Sequence, residues 1–245
     1  MIAALSFAVI KDIISGYCGG TALDLGCGLG RSTRLLLKAC RNTRVIGVDV
    51  DCNKLNHLAS TIRTSLLSLV CSDASQLPIR SKSIDLALSM LTLHEVEERS
   101  IPSFLSEAYR VVANNGVLIL IDKVLPRNPS PSEELVVLTE VAYHNAAYYV
   151  YSYRAWGVHS EEELVEVVRS FGFEPVLTKR VKIAEWISGE VFLREWGHKT
   201  RALLKEVFEE KARKELEELV DRIVRTAQKY GYGPVTMFVG VFRKA

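Results

Sequence analysis

The chain has 245 residues, 48% of them hydrophobic and 24% charged, with a net charge of +2. That length suits one α/β domain with a sizeable core and an insertion, and the near-neutral balance gives no global case for a nucleic-acid or membrane partner, although a local basic face stays open. No stretch approaches the length of a transmembrane span.

Met1 to Ile10 is apolar but has no basic n-region and no small-residue cleavage pattern, and Lys11-Asp12 follow at once, so a packing helix is expected there. The five cysteines, Cys18, Cys27, Cys40, Cys52 and Cys71, include no C-x-x-C pair. Neither a zinc site nor a disulfide framework is therefore expected; reduced thiols in a cytoplasmic protein are the simplest reading, and no metal ligands are predicted. The only glutamines are Gln76 and Gln228 amid plentiful Glu, Lys and Arg, a bias that occurs in proteins from hot environments.

Ala22 to Leu25 reads as a buried strand and Ser32 to Leu37 as the start of a helix, with Gly26, Gly28 and Gly30 in the turn between them. Glycine there permits positive φ and lets backbone amides approach a ligand at a helix start. The spacing is neither the dinucleotide G-x-G-x-x-G nor a phosphate loop, because Arg31 or Thr33 stands where a third glycine is needed and no Gly-Lys-Ser/Thr follows. Acidic Asp24 enters the turn, which disfavours a pyrophosphate and favours a cationic ligand. Arg44 to Asp49 is a second buried strand that ends in a carboxylate about twenty residues beyond the glycines, where a ribose would be held. Asp51 is the rival for that role, and a helix cap over the segment from Lys54 is the plain alternative for Asp49.

Leu66 to Cys71 forms a third strand and leads into Ser72-Asp73-Ala74, where Asp73 could also cap a turn. Ser83 to Val96 holds the fourth strand and its exit, Ile101 to Val112 an amphipathic helix, and Val117 to Asp122 the fifth strand. Ser132 to about Tyr153 reads as a helix rich in rings, followed by Trp156 and His159. The capping box Ser160-Glu-Glu-Glu163 starts another helix, and strands follow over Pro175 to Ile183 and Val235 to Phe242. Between those strands lies a helical insertion, about residues 184–233. It carries an apolar stripe that includes Leu203, Leu204, Val207, Phe208, Ala212, Leu216, Val220 and Ile223. That stripe packs on its own domain, forms a homodimer contact or closes a lid.

The run Asp24-Leu-Gly-Cys-Gly-Leu-Gly30 resembles the first motif of the class I S-adenosylmethionine-dependent methyltransferases. Ser83-Ile-Asp to Leu93-His94 and Phe104 to Asp122 extend the resemblance, so that the motifs span, in order, about residues 20–125. Ile84 replaces the usual aromatic, and Asn114-Asn115 the usual Pro-Gly. The resemblance, to quinone-biosynthesis and other small-molecule members, implies a Rossmann-like, doubly wound, mostly parallel seven-stranded sheet in a single domain. Its cofactor-binding half would be residues 1–125 and its acceptor-binding half residues 126–245. S-Adenosylmethionine would be held by Asp24, Gly26, Cys27, Gly28, Gly30, Asp49, Val50, Asp73, Ala74 and Ser89, with Asp49 on the ribose and Asp73-Ala74 on the adenine.

Methyl transfer is an in-line displacement that needs a base only when the acceptor must lose a proton. His94, at the exit of the fourth strand, is the expected base or else a histidine that caps the following turn or binds a carbonyl, with His144 and Glu95 as lesser candidates for the base. Tyr143, His144 and Tyr148 are expected to line the acceptor pocket. Ser89-Met-Leu-Thr92 stands where amine-methylating relatives carry an Asn/Asp-Pro-Pro-Tyr/Phe motif, so a small-molecule acceptor leads. An RNA or protein acceptor, or a non-catalytic S-adenosylmethionine-binding protein, is the alternative.

Overall fold

The structure, a computed structural model, describes residues 2–244, with side chains from residue 7 onward. In chain order the elements are α1 (Ile2–Ser15), β1 (Thr21–Leu25), α2 (Arg31–Ala39), β2 (Arg44–Asp49), α3 (Cys52–Thr61), β3 (Leu67–Cys71), β4 (Ile84–Met90), α4 (Ile101–Val111), β5 (Val112–Lys123), α5 (Pro131–Tyr151), α6 (Glu161–Arg169), β6 (Phe173–Ala184), α7 (Gly189–Glu195), α8 (His198–Leu204), α9 (Glu210–Tyr230) and β7 (Val235–Lys244).

The seven strands form one sheet in the order β3-β2-β1-β4-β5-β7-β6. Strands β1 to β5 pair in parallel, and β7 runs antiparallel between β5 and β6. Both faces are covered, because successive side chains of each strand point to opposite faces. Leu23, Leu25, Ala87, Leu118, Leu120, Phe238 and Phe242 pack under α4 and α6. Their neighbours Ala22, Leu86, Leu88, Ile119, Ile121, Val239 and Val241 pack under α1 and α2. Strand order reverses at β1, between β2 and β4, so the carboxyl ends of these strands open into a crevice.

Between β6 and β7 the chain forms α7, α8 and α9. The apolar stripe of α9, Ala212, Leu216, Val220, Ile223 and Ala227, is buried, and it packs with α5 residues Ala146, Leu135 and Ala142 and with α8 residues Leu203 and Leu204. The face expected for a homodimer or a lid is therefore buried within the chain itself. Phe208 departs from the expected stripe: it lies between α8 and α9 and is 97% exposed. Arg222 reaches across to Glu134 of α5 at 2.8 Å.

The expectation of five reduced thiols does not survive. Cys18 is bonded to Cys40 and Cys52 to Cys71, with Cα separations of 5.4 and 5.3 Å, and only Cys27 is free and buried. The first bond joins the chain after α1 to the end of α2, and the second joins the start of α3 to the end of β3. Sequence spacing hid them, because the partners lie 22 and 19 residues apart and meet only once the βα units stack. With them goes the argument from reduced thiols to a cytoplasmic location; intracellular disulfides are rare outside organisms of hot environments.

Candidate active site

The first wall of the crevice is the glycine turn. Gly26, Gly28 and Gly30 all take positive φ, 73°, 50° and 85°. The three differ in why glycine is needed. A Cβ on Gly26 would lie 2.3 Å from Thr92, and one on Gly30 would lie 2.3 Å from Leu58, so both positions are closed by packing. A Cβ on Gly28 would meet only an Asp49 oxygen at 3.9 Å and would otherwise project into open space. Gly28 is thus the position at which a ligand can rest on bare backbone.

Asp49 ends β2 beside this turn. Its Oδ2 accepts from the Gly28 N–H at 2.7 Å and its Oδ1 from the Asp51 N–H at 2.9 Å, which fixes the carboxylate while each oxygen keeps accepting capacity. The helix cap falls to its rival: Asp51 accepts from the N–H groups of Asn53 and Lys54 at the start of α3. Asp73 caps its own turn, its Oδ1 accepting from the Ser75 N–H and hydroxyl at 2.7 Å. Val50, 73% exposed, lines the same cavity as Asp73 and Ala74.

A cavity of about 1030 Å³ runs from these groups to the second half of the chain. Gly26, Gly28, Asp49, Val50, Asp73 and Ala74 line one side, and Glu95, Lys123, Glu140, Tyr143, Tyr153 and Tyr232 line the other. Glu195 to Thr200, spanning the end of α7 and the start of α8, close the insertion over it. Tyr153 is anchored there by donating its hydroxyl to the Glu95 carbonyl at 2.5 Å.

Other expected residues lie off the cavity wall. Asp24 is fully buried behind the turn, where Oδ2 accepts from the Ser32 and Thr33 hydroxyls at 2.9 and 2.6 Å and Oδ1 has no partner. Burial outweighs those two hydrogen bonds, and Asp49 adds to it, so the Asp24 carboxyl is pushed up to about 6. Cys27 packs with Leu55 and Leu58, and Ser89 is buried with its hydroxyl unpartnered. Gly30 holds the start of α2. His144 and Tyr148 line a second cavity of about 620 Å³, which shares Glu140 with the first.

His94 sits in a short 3₁₀ turn after β4 and is 3% exposed, behind Glu95 rather than on the wall. Asp122 holds it twice: Oδ2 accepts from the His94 N–H at 3.2 Å, and Oδ1 lies 2.5 Å from Nδ1. Nε2 faces Glu95 at 3.4 Å and Glu140 at 3.9 Å. Burial pulls the imidazole pKa down, but the charge and hydrogen bond of Asp122, with Glu95, outweigh it and raise it to about 9. The raised pKa favours the charged imidazole, the form that cannot take a proton. Hydrogen bonds to His144 and His94 hold Glu95 well below the usual carboxylate range.

Asp122, Lys123 and Glu140 are the residues that the sequence reading missed. Lys123 meets Glu140 at 2.6 Å, completing a buried-to-half-buried cluster at the boundary of the two cavities. The one sequence signal was Glu140-x-x-x-His144, which places both side chains on one face of α5.

The acidic, glycine-lined turn, with the fixed Asp49 carboxylate beside the open space over Gly28, fits a ligand with a ribose and a cationic tail. Residues 23–120 match the family described as methyltransferase domain. An uncharacterized methyltransferase of Synechocystis sp. is 29% identical over 110 residues, 45% of this chain and 50% of that protein. A malonyl-[acyl-carrier protein] O-methyltransferase of Halorhodospira halophila is 34% identical over 100 residues, 40% of this chain and 32% of that protein. The chain thus matches half or less of the length of these curated relatives. A crystal structure of a putative methyltransferase from Bacillus halodurans superposes with a TM-score of 0.64 at 18% identity, covering 97% of this chain and 98% of the other, which shows a shared fold. Among the described residues, no helix is long and apolar enough to cross a membrane. Residues 23–120 are thus similar to a methyltransferase domain, and they lie in a seven-stranded fold shared with solved methyltransferase structures.

Proposed function

We propose that the chain transfers a methyl group from S-adenosylmethionine to a small-molecule acceptor. The observation that carries this reading is the single cavity of about 1030 Å³ that joins the strand-end wall to a wall of rings and charges. Its size is at the top of the range for small ligands, enough for donor and acceptor side by side.

When bound, S-adenosylmethionine supplies an electrophilic methyl on a sulfonium, which leaves as neutral S-adenosylhomocysteine. Asp49, fixed beside Gly28, would hold the ribose hydroxyls, and Asp73 with Ala74 would hold the adenine. Gly28 lets the tail lie against backbone. Asp24 contributes from behind the turn, as a negative centre that favours a cation over it. On the acceptor side Tyr143, Tyr153 and Tyr232 exclude water and orient the acceptor, and alignment supplies much of the rate. His94 holds Glu95 at the wall and is not the base at neutral pH.

The test is transfer from methyl-labelled S-adenosylmethionine into an extract of the source cells, split into acid-soluble and acid-precipitable fractions. Soluble label that depends on Asp49 is expected. Label confined to the precipitate would replace the small molecule with RNA or protein, and no transfer into either fraction, with S-adenosylhomocysteine bound, would leave a binding protein.

A further inference from the structure

The cluster at the boundary of the two cavities has more polar donors than its hydrogen bonds use. His94 Nε2, a Glu95 oxygen and a Glu140 oxygen lie within 4.8 Å of one another. The Nε2 distances of 3.4 and 3.9 Å are close to the edges of a polyhedron built on one ion, because tetrahedral bonds of 2.0–2.2 Å give ligand–ligand edges of about 3.3–3.6 Å.

A second observation points into the same space. His144 is 9% exposed, and its buried Nε2 has no acceptor within 3.5 Å, only a loose approach to the Glu95 carboxylate. It stands 3.6 Å from a Glu95 oxygen and 4.0 Å from a Glu140 oxygen, so this nitrogen is aimed at both carboxylates. Asp122 adds the outer contact usual behind a metal-bound imidazole, a carboxylate on Nδ1, so that Nε2 is the nitrogen whose proton the ion would displace. Lys123 holds one oxygen of Glu140 and leaves the other turned toward the two histidines.

We propose that His94, Glu95, Glu140 and His144 form a binding site for a divalent first-row transition metal ion at the boundary of the two cavities. Two imidazoles with two carboxylates select zinc, manganese, iron or cobalt over magnesium or calcium, which prefer oxygen ligands alone. Because Glu95 and Glu140 also line the larger cavity, the ion has an open side there and would hold an acceptor through an oxygen atom. That last step rests on the function proposed above; the metal site itself does not.

Cobalt(II) is the probe, titrated into the full chain after chelator treatment and followed by visible absorption, with S-adenosylhomocysteine binding measured calorimetrically on each sample. One cobalt per chain, displaced by one equivalent of zinc, is expected. E140Q and H144F are each expected to weaken cobalt binding at least tenfold while S-adenosylhomocysteine still binds, which also shows that the variants fold. Absence of cobalt and zinc binding in the wild type would overturn the site, as would binding unchanged in both variants. Either result alongside intact S-adenosylhomocysteine binding leaves the methyltransferase reading standing. Loss of S-adenosylhomocysteine binding in the wild type, with cobalt still bound, would sink that reading and leave the metal site.

Discussion

On the strand-end wall of the cavity, Gly26, Gly28, Asp49 and Asp73 come from the turns that follow β1, β2 and β3, whereas on the opposite wall Lys123, Glu140, Tyr143 and Trp196 come from β5, α5 and the junction of α7 with α8. The first wall is made by chain that has just left a parallel strand. Its groups are held by contacts as local as Asp51 to Asp49, or one strand across, as Gly28 to Asp49. The second wall exists only because α9 packs on α5 and carries the insertion back over the crevice. One wall is written into short motifs and the other into packing, so the two should respond differently to perturbation.

The largest effect is expected from the disulfides, both of which lie in the strand-end half. Closing loops of this length stabilises by about 3 kcal/mol each in the chain-entropy account. C52S, or reductant added to the wild type, should therefore lower the unfolding free energy in denaturant titrations, and reductant should remove more than the single variant does. An unfolding curve indifferent to reductant would show that the thiols are unpaired and that this half needs no such ties.

Asp24 gives the next test. Its carboxyl binds a proton more tightly in the folded chain, at about 6, than at its ordinary 3.8. The stability from this tighter binding is present below about pH 3.8 and is lost as pH rises through about 6. At 1.36 kcal/mol per pKa unit the swing is about 3 kcal/mol. D24N removes the titration, so the stability difference between variant and wild type, without ligand, should move by about that amount in the variant's favour between pH 4 and pH 7.5. A difference that stays constant across that range would refute a raised Asp24.

Smaller again, and aimed at the walls themselves, is the response to substitution. D49A should weaken S-adenosylhomocysteine binding by about 1.5–3 kcal/mol, the range for hydrogen bonds to a charged group. Y143F, on the packing-made wall, should leave that affinity within about twofold. Equal losses from both, read by calorimetry, would erase the division between the walls.

The division also governs what could be read without coordinates. The glycine turn, Asp49 and Asp73 were legible because the turn that leaves a parallel strand brings chemistry to one place within a few residues, and the sheet repeats that placement strand after strand. Asp24, Cys27 and Ser89 were named from the same stretches, yet they point behind the turn or into the sheet, since side-chain direction alternates and a motif spacing does not say which residue faces the ligand. Tyr148 and His144 were read as acceptor-site residues, and they face the second cavity because neighbouring helical positions turn away from one another.

The sequence by itself determined the order of βα units, the glycine turn and the carboxylates at the strand ends, because hydrophobic periodicity and turn chemistry act over a few residues. The tertiary structure alone decided which cysteines pair, that Phe208 leaves the apolar stripe, that α9 covers α5, and that Asp122, Lys123 and Glu140 gather around His94. Those outcomes depend on contacts between segments 20 to 90 residues apart, for which burial and charge pairing become defined only when the helices have packed on the sheet.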